Sequence, residues 1–293
     1  MDNLRGSLLM VISMTGFAIE DMFIKLLSDR MPVGQILIIL GLAGAIIFAL
    51  MARAQGERVF VPEMFSRAVM LRNLGEMIAA MGYTMAIALT TLSSASAILQ
   101  ATPLAVTLGA ALFMGAQVGW RRWGAILIGF MGVLMIVRPG LDGFQPASLL
   151  AVASVIGLAI RDLATRTIPG TMSSMQLSCY GFAALAPSGA ILLAFSGGAI
   201  IPTATDWGLL ACAVAFGVLG YYFIVGAMRI GDVAAVTPFR YTRLVFTLLL
   251  GVTILGERPD VWTLTGATVI IVMGLYTFMR ERRLSRSALA MKS

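Results

Sequence analysis

The sequence predicts an all-α integral membrane protein whose ten transmembrane helices form two inverted five-helix repeats around a central cavity. Composition is the first observation behind this prediction. Of the 293 residues, 59% are hydrophobic and only 12% are charged, against about 25% charged residues in an ordinary soluble domain. The mean hydropathy of +0.93 is too high for one buried core. The other two observations are long runs without charge and an internal repeat.

The charge-free runs define the spans. Residues 31–52, 77–120, 167–205 and 207–228 contain no Asp, Glu, Lys or Arg. A bilayer core of about 30 Å is crossed by about 20 apolar residues in a helix, so the two shorter runs predict one span each and the two longer runs predict two. Helices are favoured because lipid offers the backbone no hydrogen-bond partners. With turn residues as boundaries, the spans are near 6–28, 32–52, 68–90, 93–114, 122–138, 147–168, 173–195, 207–228, 232–254 and 261–279.

The 21 Lys and Arg residues predict the orientation. With a cytoplasmic N-terminus, thirteen face the cytoplasm, five lie within spans, and only Arg30, Arg138 and Arg258 face outward. Cytoplasmic loops are enriched in Lys and Arg, so we expect both termini in the cytoplasm. We attribute the net charge of +7 to this topology and expect no nucleic-acid partner. The first span carries Glu20 and Asp21, so we expect no removable signal peptide.

An internal repeat divides the chain. Residues 7–21 and 148–162 are identical at nine of fifteen positions, an offset of 141. Near the end of each half, WRRWGAILIGFMG (120–132) matches WTLTGATVIIVMG (262–274) at six of thirteen positions. We therefore expect a first repeat at 1–141 and a second repeat, with a short basic tail, at 142–293.

An odd number of spans in each repeat inverts the second copy relative to the first. The charges agree with this expectation. Arg121 and Arg122 follow the shared Trp in the first copy, where a cytoplasmic side is expected, whereas Thr263 and Leu264 follow it in the second copy. Inverted repeats around a site at the membrane midplane are a recurring plan of secondary transporters.

Several motifs resemble the drug/metabolite transporter superfamily of the EamA type. They are the five-plus-five repeat, Pro103 after a helix of small residues, the run PFRYTRLVFTLLLGVTILGERPD (238–260), Arg72, and the pair Gly256-Glu257. The first half departs from the pattern, with Gly115-Ala116 instead of Gly-Glu. The resemblance is nearest to bacterial exporters of amino acids, including aromatic ones. It implies a bacterial inner membrane and a small-molecule substrate.

Ionisable residues inside the spans are costly, so they usually face a bundle interior or a watery cavity. Three pairs are four residues apart on one helix face, where local pairing is expected: Asp21 with Lys25, Arg72 with Glu76, and Asp162 with Arg166. Glu20, Arg161, Arg240 and Arg243 lack a local partner and are candidates for a polar cavity lining. Ion pairing between helices without a ligand role is the alternative.

Other candidates for the cavity are polar residues away from the membrane edges. They are Tyr83, Gln100, Tyr221, Tyr222 and Tyr241, which suit an apolar site with a few polar anchors; ordinary core packing is the alternative for each. Pro103 and Pro238 fall inside the fourth and ninth spans and should kink them, either as hinges or as passive bends. Gly16 and Gly157 occupy equivalent positions and are expected at close helix contacts.

The function predicted from these features is export of small metabolites, with amino acids first, by alternating access. Export of lipophilic cations or other metabolites is the alternative. An enzyme is disfavoured because histidine is absent and no activated nucleophile is evident, so we expect no cofactor and no metal site. No GxxxxGK[ST] loop is present, and both proton coupling and facilitated diffusion fit the sequence. A scaffold role is also open, and oligomeric state is not predicted.

Overall fold

Helices and short 3-10 turns make up the computed structural model. It describes residues 2–116, 118–141, 143–169, 172–230 and 233–290, and for 233, 234 and 281–290 it describes the backbone alone. The described residues contain no strand. The helices are α1 Asp2–Ser28, α2 Val33–Ala54, α3 Arg67–Leu89, α4 Leu92–Leu99, α5 Thr102–Phe113, α6 Trp120–Val137, α7 Ser148–Thr165, α8 Ser174–Phe195, α9 Ala204–Ile230, α10 Val233–Val236, α11 Thr242–Thr253 and α12 Val261–Ala290.

Ten segments of the described chain cross the bundle, which confirms the predicted count. Eight of them are long and apolar enough to span a bilayer by length and composition, with α4 and α5 counted together. The other two are α3, whose first half carries Arg67, Arg72 and Glu76, and the interrupted segment 233–253. The helix ends agree with the predicted spans to within a few residues, except that α12 continues eleven residues past 279, to Ala290.

The alternating crossings give the bundle two faces. We call one the Arg30 face; it holds the turns between α1 and α2, α3 and α4, α6 and α7, α8 and α9, and α11 and α12. We call the other the N-terminal face; it holds the start of α1, the end of α12 and the remaining turns.

Both predicted proline kinks are present, and each interrupts a span. In the fourth span, α4 ends at Leu99 and α5 begins at Thr102, with Pro103 in the first turn of α5. In the ninth span, a 3-10 turn over Thr237–Tyr241 containing Pro238 separates α10 from α11. Proline removes one helical hydrogen bond and clashes with the preceding turn. At the first break the Leu99 carbonyl, which loses its helical partner because Pro103 has no N–H, accepts a hydrogen bond from the Thr102 hydroxyl at 2.6 Å.

The core lies where helices of one repeat pack against helices of the other. The principal pairs are α1 with α9, α3 with α7, α2 with α8, and α6 with α12. Small residues allow the close approach, as predicted. A Cβ added at Gly16 would lie 3.1 Å from the Phe216 carbonyl oxygen, and one at Gly157 would lie 2.6 Å from the Ala79 nitrogen. Packing at backbone contact distance holds α1 and α7 against the opposite repeat and turns their charged residues toward protein.

Candidate functional site

A buried ion pair between α1 and α11 forms the first polar cluster, which we call the Asp21 cluster. Nη2 of Arg243 donates to both carboxylate oxygens of Asp21 at 2.8 Å. The Tyr83 hydroxyl donates to Asp21 Oδ2 at 3.0 Å and lies 2.9 Å from Ser96 Oγ. The Arg243 guanidinium also lies over the rings of Phe17 and Tyr83, at 5.2 and 5.3 Å from their centroids. Two helices of the first repeat are thereby joined to one of the second.

This cluster corrects the expectation that Asp21 pairs with Lys25. Asp21 is 2% exposed and is bound by Arg243. The Lys25 ammonium instead donates to three backbone carbonyls at the end of α3, those of Ile87, Ala88 and Thr90, at 2.9 to 3.2 Å. Helix ends leave carbonyls without intrahelical partners, so a cation on the neighbouring helix satisfies them. Spacing along α1 did not show that both residues have partners on other helices.

The second cluster lies toward the N-terminal face, between α3 and α7, and we call it the Arg161 cluster. The Arg161 guanidinium bridges Asp162 at 2.8 Å and Glu76 at 3.4 Å. Glu76 also pairs with Arg72 at 3.9 Å, which confirms that predicted local pair. Arg72 donates to the Tyr221 hydroxyl at 3.1 Å. The expected pair of Asp162 with Arg166 does not form, because Asp162 faces its neighbour Arg161.

Two of the candidate charges have no direct partner within the described residues. The Glu20 carboxylate makes no hydrogen bond or ion pair there; it lies against the backbone of α9 at Gly217, where an added Cβ would overlap it. Its electrostatic neighbours are Asp21 and Arg243. The Arg240 guanidinium, from the 3-10 turn in the ninth span, likewise forms no hydrogen bond or ion pair with the described residues and interacts electrostatically with Asp162 and Arg161.

The remaining candidates fall in three kinds of place. Tyr83 and Tyr221 belong to the two clusters. Tyr241 is buried, and its hydroxyl lies against Gly274 without a hydrogen-bond partner in the described structure. Gln100 is buried at the break between α4 and α5. Tyr222 is 44% exposed on α9 and belongs to neither cluster.

The sequence interpretation missed Asp21, Glu76 and Asp162 as members of these clusters, since each was assigned a local partner. A signal was available in the repeat. Asp21 and Asp162 occupy equivalent positions in two apolar spans, and ionisable residues inside spans usually face the bundle interior.

The two clusters differ in their balance of acids and guanidiniums. In the Asp21 cluster two acids, Glu20 and Asp21, lie near one guanidinium, that of Arg243. In the Arg161 cluster Arg240 adds a third guanidinium to two guanidiniums and two carboxylates. A solute carrying both an ammonium and a carboxylate has one group that suits each cluster.

An apolar groove of about 550 Å³ lies elsewhere, between α6 and α12 at the Arg30 face. Met131, Leu134, Met135, Arg138 and Trp262 are among its lining residues. Met131 is 58% exposed and Trp262 56%, so the groove opens on the outer surface of the bundle and shares no residue with the clusters.

Comparison with known proteins adds the family. The model of the EamA-like transporter family matches residues 4–138 and 145–280. The chain is 31% identical to a riboflavin transporter of Rhizobium johnstonii over 66% of this chain and 63% of that protein. It is 25% identical to an S-adenosylmethionine uptake transporter of Rickettsia bellii over 69% and 68% of the two chains. It is 27% identical to a pseudopaline exporter of Pseudomonas aeruginosa over 91% and 93%.

Among solved structures, one crystal structure aligns with 93% of this chain and 98% of its own chain, at a TM-score of 0.61 and 18% identity. That likeness supports the all-helical fold.

Proposed function

The chain belongs to the EamA-like transporter family of multi-pass membrane proteins, and from that premise we propose that it exports amino acids, with broad specificity, by alternating access. Transport of a small metabolite across a bilayer follows from the family. Amino acids as substrate, export as direction, and a bacterial inner membrane with both termini in the cytoplasm are our proposals. In this orientation the N-terminal face is cytoplasmic, as the distribution of Lys and Arg favours.

The observation that carries the proposal is the contrast between paired and unpaired charges. Arg243 and Arg161 are held by carboxylates, whereas Glu20 and Arg240 have no direct partner in the described residues. A charge kept without a partner inside a membrane is costly. Its retention is explained if a substrate supplies the missing partner. An amino acid supplies both, its ammonium for Glu20 and its carboxylate for Arg240.

The relatives are compatible with this substrate class and also favour a second candidate. S-adenosylmethionine, carried by the Rickettsia relative according to its name, ends in the ammonium and carboxylate of methionine. Riboflavin, named for the Rhizobium relative, is instead a flat aromatic metabolite. Four aromatic side chains pack together beside the clusters, at centroid separations of 5.4 to 6.4 Å: Phe17, Phe48, Phe182 and Tyr221. An aromatic metabolite is therefore the second candidate.

The test is flux in proteoliposomes loaded with radiolabelled phenylalanine. Two analogues are used as competitors: 2-phenylethylamine, which lacks the carboxylate, and 3-phenylpropionate, which lacks the ammonium. In the wild-type protein, unlabelled phenylalanine should compete better than either analogue. Glu20→Gln should make phenylalanine and 3-phenylpropionate compete equally well. Arg240→Gln should make phenylalanine and 2-phenylethylamine compete equally well. We expect each advantage to be about tenfold or more, since a hydrogen bond to a charged group is worth about 1.5–3 kcal/mol.

Matched controls remove an exposed charge of the same kind. Asp29→Asn and Arg258→Gln change exposed residues at the Arg30 face and should leave the order of competitors unchanged. Riboflavin and a quaternary ammonium ion complete the panel. Flux of either without any response to amino acids would contradict the proposed substrate. Repeating the assay with and without a pH gradient distinguishes proton coupling from facilitated diffusion.

A further inference from the structure

Three acids of the second repeat bind groups of the first repeat at the Arg30 face. Asp206, at the start of α9, pairs with Arg30 at 2.5 Å. Asp260, just before α12, pairs with Arg138 at the end of α6. Desolvation alone would raise the pKa of Asp260, but hydrogen bonds from Arg138 and Thr263 outweigh it and hold the pKa below its usual range. This carboxylate is therefore ionised at neutral pH.

Glu257, the third acid, binds the start of α4. Its carboxylate accepts hydrogen bonds from the backbone N–H of Leu92 at 2.5 Å and of Ser93 at 2.9 Å, and from the Ser93 hydroxyl at 2.5 Å. An acid at a helix N-terminus satisfies free N–H groups and interacts favourably with the helix dipole. Gly251 leaves room for it, because an added Cβ there would lie 2.7 Å from Glu257 Oε2. The contact joins the turn after α11 to the first repeat.

The first repeat contains the same turn without the acid. Gly115 and Gly256 have φ of +66° and +67°. The N–H of Ala116 donates to the Ala110 carbonyl at 3.1 Å, and the N–H of Glu257 donates to the Gly251 carbonyl at 2.9 Å, six residues back in both cases. The two turns are therefore equivalent at the repeat offset of 141. Alanine stands at 110 and 116 where the second repeat has Gly251 and Glu257.

The counterparts of the other two acids are also uncharged. The match of Gly82-Tyr83 with Gly220-Tyr221 relates Asp206 to Ala68, and the match of Trp120 with Trp262 relates Asp260 to Val118. The N-terminal face therefore lacks all three acids at the equivalent positions.

Not every contact differs between the faces. Gln35 donates to the Ile200 carbonyl at 2.8 Å, and its repeat counterpart Gln176 donates to the Arg58 carbonyl at 2.6 Å. Glu57 also binds Ser173 across the repeats at the N-terminal face. The glutamine contacts occur on both faces and stabilise both closed arrangements alike. The Tyr180 hydroxyl also donates to the Val59 carbonyl across the repeats, so the N-terminal face has two contacts of its own. The Arg30 face has three contacts of its own, and two of them are ion pairs.

We propose that Asp206, Glu257 and Asp260 bias the empty transporter toward the state closed at the Arg30 face, so that its substrate route opens first to the N-terminal face. In alternating access the repeats separate on one face at a time, and contacts present on only one face favour its closure. This inference rests on the proposed function for its consequence, which is loading of substrate from the cytoplasm. The bias itself is a property of the empty protein.

The test measures distances in the substrate-free full-length protein in lipid nanodiscs by pulsed electron paramagnetic resonance. Spin labels at Leu89→Cys and Arg258→Cys report on the Arg30 face, and labels at Phe113→Cys and Met228→Cys report on the N-terminal face; these four side chains are exposed. The background carries Cys179→Ala and Cys212→Ala, which replace the two native cysteines.

In the unsubstituted protein the distance across the Arg30 face should be short. Glu257→Gln should raise the ratio of long to short distances there about tenfold, the size expected for losing a charged hydrogen-bond partner. Asp206→Asn with Asp260→Asn should act in the same direction. Asp29→Asn is the matched control, because this exposed acid lies on the same face and has no side-chain partner in the described structure.

A converse variant keeps the test informative if Glu257→Gln folds poorly. Ala116→Glu introduces the acid into the first-repeat turn, and Ala110→Gly in the same variant makes space for its side chain. This double variant should shorten the distances across the N-terminal face. Ala110→Gly with Ala116→Gln is its control. Unchanged distances at both faces in folded variants would overturn the inference. If the distances shift as expected but no amino acid is transported, the proposed substrate is wrong and the bias stands. If amino acids are transported and the distances do not shift, the bias is wrong.

Discussion

The Asp21 cluster and the Arg161 cluster are built on equivalent positions but bind their charges differently. Asp21 corresponds to Asp162, and Tyr83 corresponds to Tyr221. In the first cluster Tyr83 donates to the acid, which has one arginine partner. In the second, Tyr221 accepts a hydrogen bond from Arg72, and Arg161 is shared by two acids. Duplication has preserved the backbone and the acid, while neighbouring residues have set the charge.

The position before each acid shows this most directly. Glu20 and Arg161 are equivalent, yet they carry opposite charges. Because the second repeat is inverted, the acid lies toward the Arg30 face and the arginine toward the N-terminal face. The inverted repeat thus supplies two similar polar clusters that differ in the type of ionisable group at this position.

The largest expected effect depends on how many carboxylate partners an arginine keeps when one acid of its cluster is removed. Asp21→Asn leaves Arg243 without its carboxylate in a buried place, so the free energy of unfolding should fall by about 3–5 kcal/mol. Asp162→Asn should cost clearly less, because Arg161 keeps Glu76. Thermal unfolding of the purified proteins in detergent measures both, with Asp29→Asn as the control. Equal losses for the two variants would contradict the difference in partners.

A second comparison concerns the glycines that let α1 and α7 pack closely against the opposite repeat. Gly157→Ala should reduce the free energy of unfolding by about 1–3 kcal/mol, since its Cβ would lie 2.6 Å from a backbone nitrogen. Gly16→Ala should cost less, because the nearest atom to its Cβ is at 3.1 Å. Gly124→Ala is the control, as its Cβ would meet nothing within 4 Å. The same unfolding assay measures all three. A larger loss for Gly16→Ala than for Gly157→Ala would contradict the conclusion that the contact at Gly157 is the tighter one.

The third prediction displaces Glu20 without changing its charge. A Cβ at Gly217 would overlap the Glu20 carboxylate, so Gly217→Ala should lower amino-acid flux about tenfold, equivalent to about 1.4 kcal/mol. Gly208→Ala on the same helix has open space around its Cβ and should transport normally. Initial rates in proteoliposomes at matched protein content give the comparison. Equal flux from the two variants would remove Glu20 from the substrate route.

The smallest expected effect distinguishes the two tyrosines. Tyr83→Phe removes a hydroxyl that contacts both Asp21 and Ser96, and should cost about 1 kcal/mol of unfolding free energy. Tyr221→Phe should cost less, because Arg72 keeps Asn73 and Glu76 as partners. The measurement is again thermal unfolding, and a reversed order would mean that the hydroxyl of Tyr221 has a larger role than its single contact indicates.

Much of the fold was predictable because its causes lie along the chain. Hydropathy gave the spans, the 141-residue repeat gave the inversion, and Pro103 and Pro238 gave the breaks in two spans. The ion pairs were not predictable in the same way. Asp21 has Lys25 one turn away, but Arg243, on a distant helix, reaches its carboxylate. Spacing within a helix shows which residues share a face, and only the packing of the repeats shows what that face meets.

The central claim is that the unpaired charges bind substrate and the paired charges hold the bundle together. Calorimetric binding of phenylalanine to the purified protein, with Glu20→Gln and Arg240→Gln compared against wild type, tests it most directly. The account predicts that each variant binds at least about tenfold more weakly while its unfolding temperature stays close to that of the wild type. Unchanged affinity in both variants, or a loss of affinity that only follows a loss of stability, would contradict it.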